Sequence, residues 1–223
     1  MNHTTDIFEM SRAALGTPEA CAAVQSVSAR ANCRGPHGTY ITEIHSARDG
    51  RVRFQQTWSH RNPVCIIINA QGAWATDLHS RESDALDALS VSMIRGHEFQ
   101  MLPLTLRARY TQPEYAGRVE WHTEPCVQVR ARDDLGVLCA HYFRARDARW
   151  LGMELGSPRH PEEKTRVLVQ DWTQCAHVFF PSRVLAADAR GEYFFEFQEI
   201  RVNDTPDDFF EAPRISLREA HAV

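Results

Sequence analysis

The chain has no apolar run near the roughly 20 residues a membrane-crossing helix needs; the longest candidate is Val64-Cys65-Ile66-Ile67-Ile68. It has no basic surplus either. The formal net charge is −4, whereas a binder of phosphate backbones carries excess Lys and Arg, so nucleic acid is excluded as the main partner. The start, Met1-Asn2-His3-Thr4-Thr5-Asp6, has neither the basic residues nor the apolar stretch of a secretory signal. The expected location is cytoplasmic for the chain as given, and periplasmic if a signal was removed. Cys21, Cys33, Cys65, Cys126, Cys139 and Cys175 include no C-x-x-C pair, and a chain of 223 residues needs no disulfide framework; reduced, mostly buried thiols are expected. G-x-S-x-G, P-loop, H-E-x-x-H and Gly-rich dinucleotide motifs are also absent, which removes the signatures of the commonest hydrolases, kinases and dehydrogenases. Without repeats, linkers or low-complexity segments, residues 1–223 read as a single domain.

What is present reads mostly as strand. Two helices come first, Ile7–Leu15 closed by Gly16, and Pro18–Ala29 behind a Thr17 cap, so residues 1–34 form a helical plug. Strands follow over 38–77: Thr39–His45, Arg51–Trp58 after an Asp49-Gly50 turn, Val64–Ala70 and Ala73–Asp77. A helix is expected over 83–95, where Leu86, Leu89, Met93 and Ile94 fall at helical spacing behind a Ser83 cap. Gly96 to Glu114, punctuated by Pro103 and Pro113, reads as irregular. The remaining strands fill 117–213: Gly117–Thr123, Cys126–Ala131, Val137–Arg144, Trp150–Leu155, Arg166–Trp172, Ala176–Leu185 and Gly191–Val202. About eleven strands exceed what a flat sheet holds without curling. The fold class is therefore α+β, a curved, open antiparallel half-barrel with helices on its concave face.

The C-terminal part carries a recognisable order: Asp171-Trp172, Phe180-Pro181, Gly191, Phe197, Ile200, Val202-Asn203, Asp207, Phe210 and Pro213. It resembles the ending of the outer-membrane lipoprotein-sorting (LolA-like) superfamily. The resemblance implies an open half-barrel plugged by helices, and a cavity between sheet and helices that holds an acyl chain or another hydrophobic small molecule. No cofactor is expected.

Alternation gives the sheet an apolar face, with Phe143, Tyr193, Phe195 and Phe197 in one phase and Trp150 in a neighbouring strand. These residues either fill a plain core or line a ligand cavity at the mouth of the half-barrel. The eleven histidines suggest chemistry. Cys139-Ala140-His141 and Cys175-Ala176-His177 are identical tripeptides, and in a strand residues i and i+2 share a face, so each could aim two ligands at one zinc or other transition metal; the alternative is packing cysteines beside incidental histidines. Glu43 with His45, Glu120 with His122, and His97-Glu98 are candidate acid–base pairs, against solvated surface pairs. The leading function is therefore binding of a hydrophobic or amphipathic small molecule. The alternatives are a cyclase, isomerase or hydrolase of a hydrophobic metabolite on the same scaffold, metal-dependent if the Cys/His pairs converge, and a protein that binds a protein partner through a strand edge.

Overall fold

The computed structural model describes residues 3–156 and 164–211. In chain order the elements are α1 His3–Ala13, α2 Pro18–Ala23, β1 Ser26–Gly35, β2 Gly38–Ala47, β3 Val52–Trp58, β4 Val64–Asn69, β5 Gly72–Asp77, β6 Ser83–Ala85, α3 Ala88–Gly96, α4 Leu102–Arg109, β7 Tyr110–Trp121, β8 Glu124–Asp133, β9 Leu138–Arg144, β10 Trp150–Gly156, β11 Lys164–Cys175, β12 Val178–Asp188 and β13 Gly191–Val202, with a short 3-10 turn at Asp207–Phe210. All strands belong to one sheet, ordered β6-β5-β4-β3-β2-β1-β13-β12-β11-β10-β9-β8-β7, antiparallel throughout. The two edges, β6 and β7, are neighbours in sequence. Residues 86–109 must therefore return across the sheet, and α3 and α4 are that crossing.

The half-barrel expectation holds, with corrections. Among the described residues there are thirteen strands rather than about eleven, the extra two being β1 and β6. The second helix stops at Ala23, and the residues expected to continue it form β1, where Val27, Ala29, Ala31 and Cys33 face the core. Serine and alanine carry little strand propensity, but β1 is bonded on both sides, to β2 and β13, and that pairing overrides local preference. Ser83 is not a helix cap: it sits in β6, its hydroxyl 2.7 Å from Thr76 Oγ1, and the α3 cap is Asp87, whose carboxylate accepts from Ser90 N. The stretch expected to be irregular holds α4, which starts at the proline punctuation, and the first part of β7, where Pro113 lies at an edge strand that can spare a donor.

Phe8 of α1 packs 5.7 Å from Phe143, and Leu102 and Leu106 of α4 are buried in the same cluster. Sheet and helices are thus in full contact over the β7–β10 half. Leu15, Val24, Met101, Leu104, Val178 and Phe180 make a second cluster where α2 meets the sheet. A buried ion pair, Arg109 Nη2 to Glu98 Oε2 at 2.7 Å, fastens the end of α4 to the residues following α3.

The last of the residues that carried the family resemblance, within Asn203 to Phe210, belong to a clasp. After β13 the chain turns over the outer face of β1–β4: Ser28 Oγ donates to Asp204 at 2.8 Å, Arg51 pairs with Asp207 at 3.0 Å, and buried Phe210 accepts at its carbonyl from Asn69 Nδ2. Pro213 lies outside the described residues.

Candidate ligand cavity

The β2–β4 side of the concave face is less completely filled. Here α3 stands off the sheet and leaves a cavity of about 370 Å³. Tyr40, Phe54, Trp58 and Ile66 come from β2–β4, Tyr193 and Phe195 from β13, and Met93, Ile94 and His97 from α3 and its C-cap. The period-2 alternation of the strands puts these rings on one face. Tyr40 stacks on Trp58 at 5.5 Å and meets Phe195 edge-on at 6.4 Å. The mouth carries the charges. Arg61 is there, and Arg190 Nη2 bonds Asp188 Oδ2 at 2.7 Å. Burial alone would raise the Asp188 carboxyl, but its bonds from Arg190 outweigh that and hold it below the usual range.

His97 enters the lining from the C-cap of α3. Its Nδ1 lies 2.7 Å from the Met93 carbonyl oxygen, which can only accept, so Nδ1 carries the proton. Burial lowers the imidazole pKa, against an opposing effect of the Met93 bond. The neutral ring then offers Nε2 as an acceptor. Phe99, buried behind it, lies 5.4 Å from His97 and 5.1 Å from Phe195. Burial also pushes the Tyr40 phenol well up, so the lining is uncharged at neutral pH except at its rim.

Of the residues read from sequence as ligand-binding, Tyr193 and Phe195 line this cavity. Phe197 is buried beside it, 6.4 Å from Phe195. Phe143 and Trp150 are fully buried under α1, in the packed half. Of the acid–base candidates only His97 faces the cavity. On β2, Thr42 and Ile44 point inward, so Glu43 and His45 point outward: Glu43 pairs with Arg30 at 3.4 Å, and His45 lies under the C-terminal clasp, 3.3 Å from Thr205 Oγ1 and against the Phe209 ring. Glu120 is near the end of β7, while His122 has left the strand into a two-residue turn with positive φ at His122 and Thr123. His97 and Glu98 diverge, one into the cavity and the other into the ion pair with Arg109.

The metal reading meets the same difficulty. Ala176 and His177 form a tight turn, both with positive φ, so Cys175 and His177 do not share a strand face. Cys139 stands opposite Leu155, which stands opposite Thr165; Cys175 is ten residues further along β11, roughly 30 Å at about 3.3 Å per residue. Burial pushes the Cys139 thiol up to about 12, far from the thiolate a metal needs. His141 is fully buried, its Nδ1 accepting from Trp150 Nε1 at 3.3 Å. Among the described residues no three His, Cys, Asp or Glu side chains group as a metal site.

Sequence reasoning missed the role of His97, which it grouped with Glu98. The available clue was its position one turn past Met93 at the end of an amphipathic helix, the place from which a side chain reaches back to a helix carbonyl.

A curved open sheet with helices crossing its concave face defines an architecture rather than a reaction, and solved structures share that fold. The chain is similar to a LolA superfamily protein, NE2245, from Nitrosomonas europaea, with 11% identity and a TM-score of 0.65 over 94% of this chain and 97% of that one. It is similar to a DUF1329 family protein from Desulfovibrio piger, with 8% identity and a TM-score of 0.63 over 97% and 100%. A putative outer membrane lipoprotein-sorting protein domain from Vibrio parahaemolyticus aligns with 9% identity and a TM-score of 0.60 over 93% and 95%. The fold is LolA-like. No family model matches the chain, and no curated protein matches its sequence.

Proposed function

We propose that this chain binds an amphipathic, lipid-like molecule in the cavity beneath α3, with the apolar part against Tyr40, Phe54, Trp58 and Phe195 and a hydrogen-bond donor of the ligand at His97 Nε2. The observation that carries this reading is the lining itself: an aromatic cavity of about 370 Å³, with the neutral imidazole of His97 in its wall and the exposed His37, Arg61 and Arg190 at its rim. Sites of this kind, apolar with a few placed polar groups, suit small apolar ligands, and this volume lies at the small end of the range, roughly 300–1,000 Å³. The shared fold supports the reading, since one structural neighbour is a putative outer membrane lipoprotein-sorting protein domain. That neighbour gives no support to the cytoplasmic expectation. Among the described residues no helix is long and apolar enough to cross a membrane. Of the residues that suggested the cyclase, isomerase or hydrolase alternative, Glu43, His45, Glu120 and His122 lie away from the cavity and His97 alone lines it.

Titration with a fluorescent acyl probe tests the reading. Saturable binding of one probe per chain is expected, weakened about tenfold by Trp58→Ala, which removes a wall of the mouth without emptying the packed core. Absence of saturable binding overturns it.

A further inference from the structure

A second concavity lies outside the cavity. It is a groove of about 770 Å³ at the rim, running from the start of α3 to the outer face of β8–β11. Strand register fixes what surrounds it. Arg132 stands opposite Leu138 and Arg130 opposite Ala140, Ala140 stands opposite Glu154, and Glu154 and Gly156 stand opposite Arg166 and Lys164. All these positions project from the outer face, so Arg130, Arg132, Lys164 and Arg166 surround Leu138 and Ala140. Leu138 is 49% exposed and Leu135, in the adjoining turn, 38%. Among the described residues two acids line the groove, and both are engaged. Glu154 accepts from Tyr142 Oη at 2.8 Å and Arg166 Nε at 2.9 Å, with Lys164 Nζ 3.5 Å away; Asp87 caps α3 through Ser90 N. Arg132 Nη1 donates to the Gly136 carbonyl. On a chain of net charge −4 this is a local cationic, apolar surface.

We propose that this groove docks the chain on an anionic lipid bilayer, Leu135 and Leu138 entering the head-group layer while Arg130, Arg132 and Lys164 meet lipid phosphates. Charge complementarity selects that surface, because basic side chains beside apolar ones at one rim are what an anionic interface attracts. Continuity with the cavity supports it: Ala88 and Leu89 of α3 line the groove, while Met93 and Ile94 of the same helix line the cavity. A docked chain presents that helix, and with it the cavity mouth, to the lipid. The groove does not depend on what the cavity holds.

The test is cosedimentation of the full chain with vesicles of phosphatidylcholine alone and of phosphatidylcholine with about 30% phosphatidylglycerol, at low and at roughly 0.3 M salt. Wild type, Arg130→Gln/Arg132→Gln and Leu138→Ser are compared, after melting curves confirm that all three fold. Binding is expected only to the anionic vesicles and is lost at high salt. Each basic side chain near such a surface contributes about fivefold in partitioning, so the double variant falls on the order of 25-fold, and Leu138→Ser several-fold. Equal binding to neutral vesicles, or an unchanged double variant, overturns the proposal, as does no binding at about 1 mM lipid. Displacement by polyglutamate with Leu138→Ser behaving as wild type assigns the groove to an acidic peptide instead. Acyl-probe binding by the double variant is expected to be unchanged, which keeps failure of the groove separate from failure of the cavity.

Discussion

Asn203 Oδ1 accepts a hydrogen bond from the backbone N–H of Gln25 at 2.7 Å, joining residues 178 positions apart. The same oxygen lies 3.1 Å from Ser26 N, and Asn203 Nδ2 donates to the Ala23 carbonyl at 2.9 Å. One side chain thus satisfies the backbone between α2 and β1, while its own backbone takes φ 59°, a left-handed conformation that Asn tolerates better than most residues. The asparagine of the family-like ending is therefore a structural fastener. Asn203→Ala is expected to cost about 3 kcal/mol in denaturant unfolding, from three lost bonds at about 1 kcal/mol each. Asn203→Gly, which accepts the backbone geometry, is expected to lose no more than Ala. A loss under about 0.5 kcal/mol for Ala, the scale of an ordinary surface change, would contradict this role.

His141 makes stability depend on acid. Burial pushes its pKa down to about 3, against about 6.5 when unfolded. Below pH 6.5 the unfolded chain takes up a proton that the folded chain refuses, so stability is full above that pH and falls towards pH 3, by up to roughly tenfold in the folding constant per pH unit. Denaturation of wild type and His141→Leu at pH 7 and pH 5 checks the sign. A flatter dependence is expected for the variant, and the same slope in both would refute the assignment.

The thiols offer a quick test of packing. Burial pushes Cys33 and Cys126 up to about 11 and Cys139 up to about 12, and Cys21 and Cys65 are buried as well, leaving Cys175 as the half-buried one. A thiol reagent at pH 8 is expected to modify Cys175 rapidly and the other five only on unfolding. Fast reaction of several thiols would mean a far more open sheet.

Gly152, at the irregularity between β9 and β10, has φ +149°, and a Cβ there would stand 1.9 Å from the Val167 carbonyl oxygen. Backbone cannot yield as a side-chain tip does, so Gly152→Ala is expected to destabilise by about 3 kcal/mol. A neutral result in a melting experiment would show that β10 and β11 sit further apart.

The sheet was legible in the sequence wherever turn chemistry and alternation agreed. Asp49-Gly50 makes its turn between β2 and β3, with Gly50 at φ +92°, and the phase of Tyr193, Phe195 and Phe197 gave the concave face. β1 was hidden because Ser26–Gly35 owes its form to two long-range pairings that no local pattern shows. Concealment at the site had another source. Phe143 and Phe195 carry the same alternation, yet Phe143 is covered by Phe8 and Phe195 lines a cavity; the difference lies in where α1 and α3 stand. Nor does spacing reveal that Cys175-Ala176-His177 turns a corner while Cys139-Ala140-His141 runs straight.

The central claim is that a lipid-like molecule occupies the cavity beside Trp58, and quenching of tryptophan emission by a brominated fatty alcohol tests it most directly. Trp58 lines the cavity, whereas Trp150 is buried in the packed half. Wild type is expected to show saturable quenching that largely disappears in Trp58→Phe, although that variant still takes up the acyl probe. Equal quenching in both proteins would place the ligand elsewhere and contradict the account.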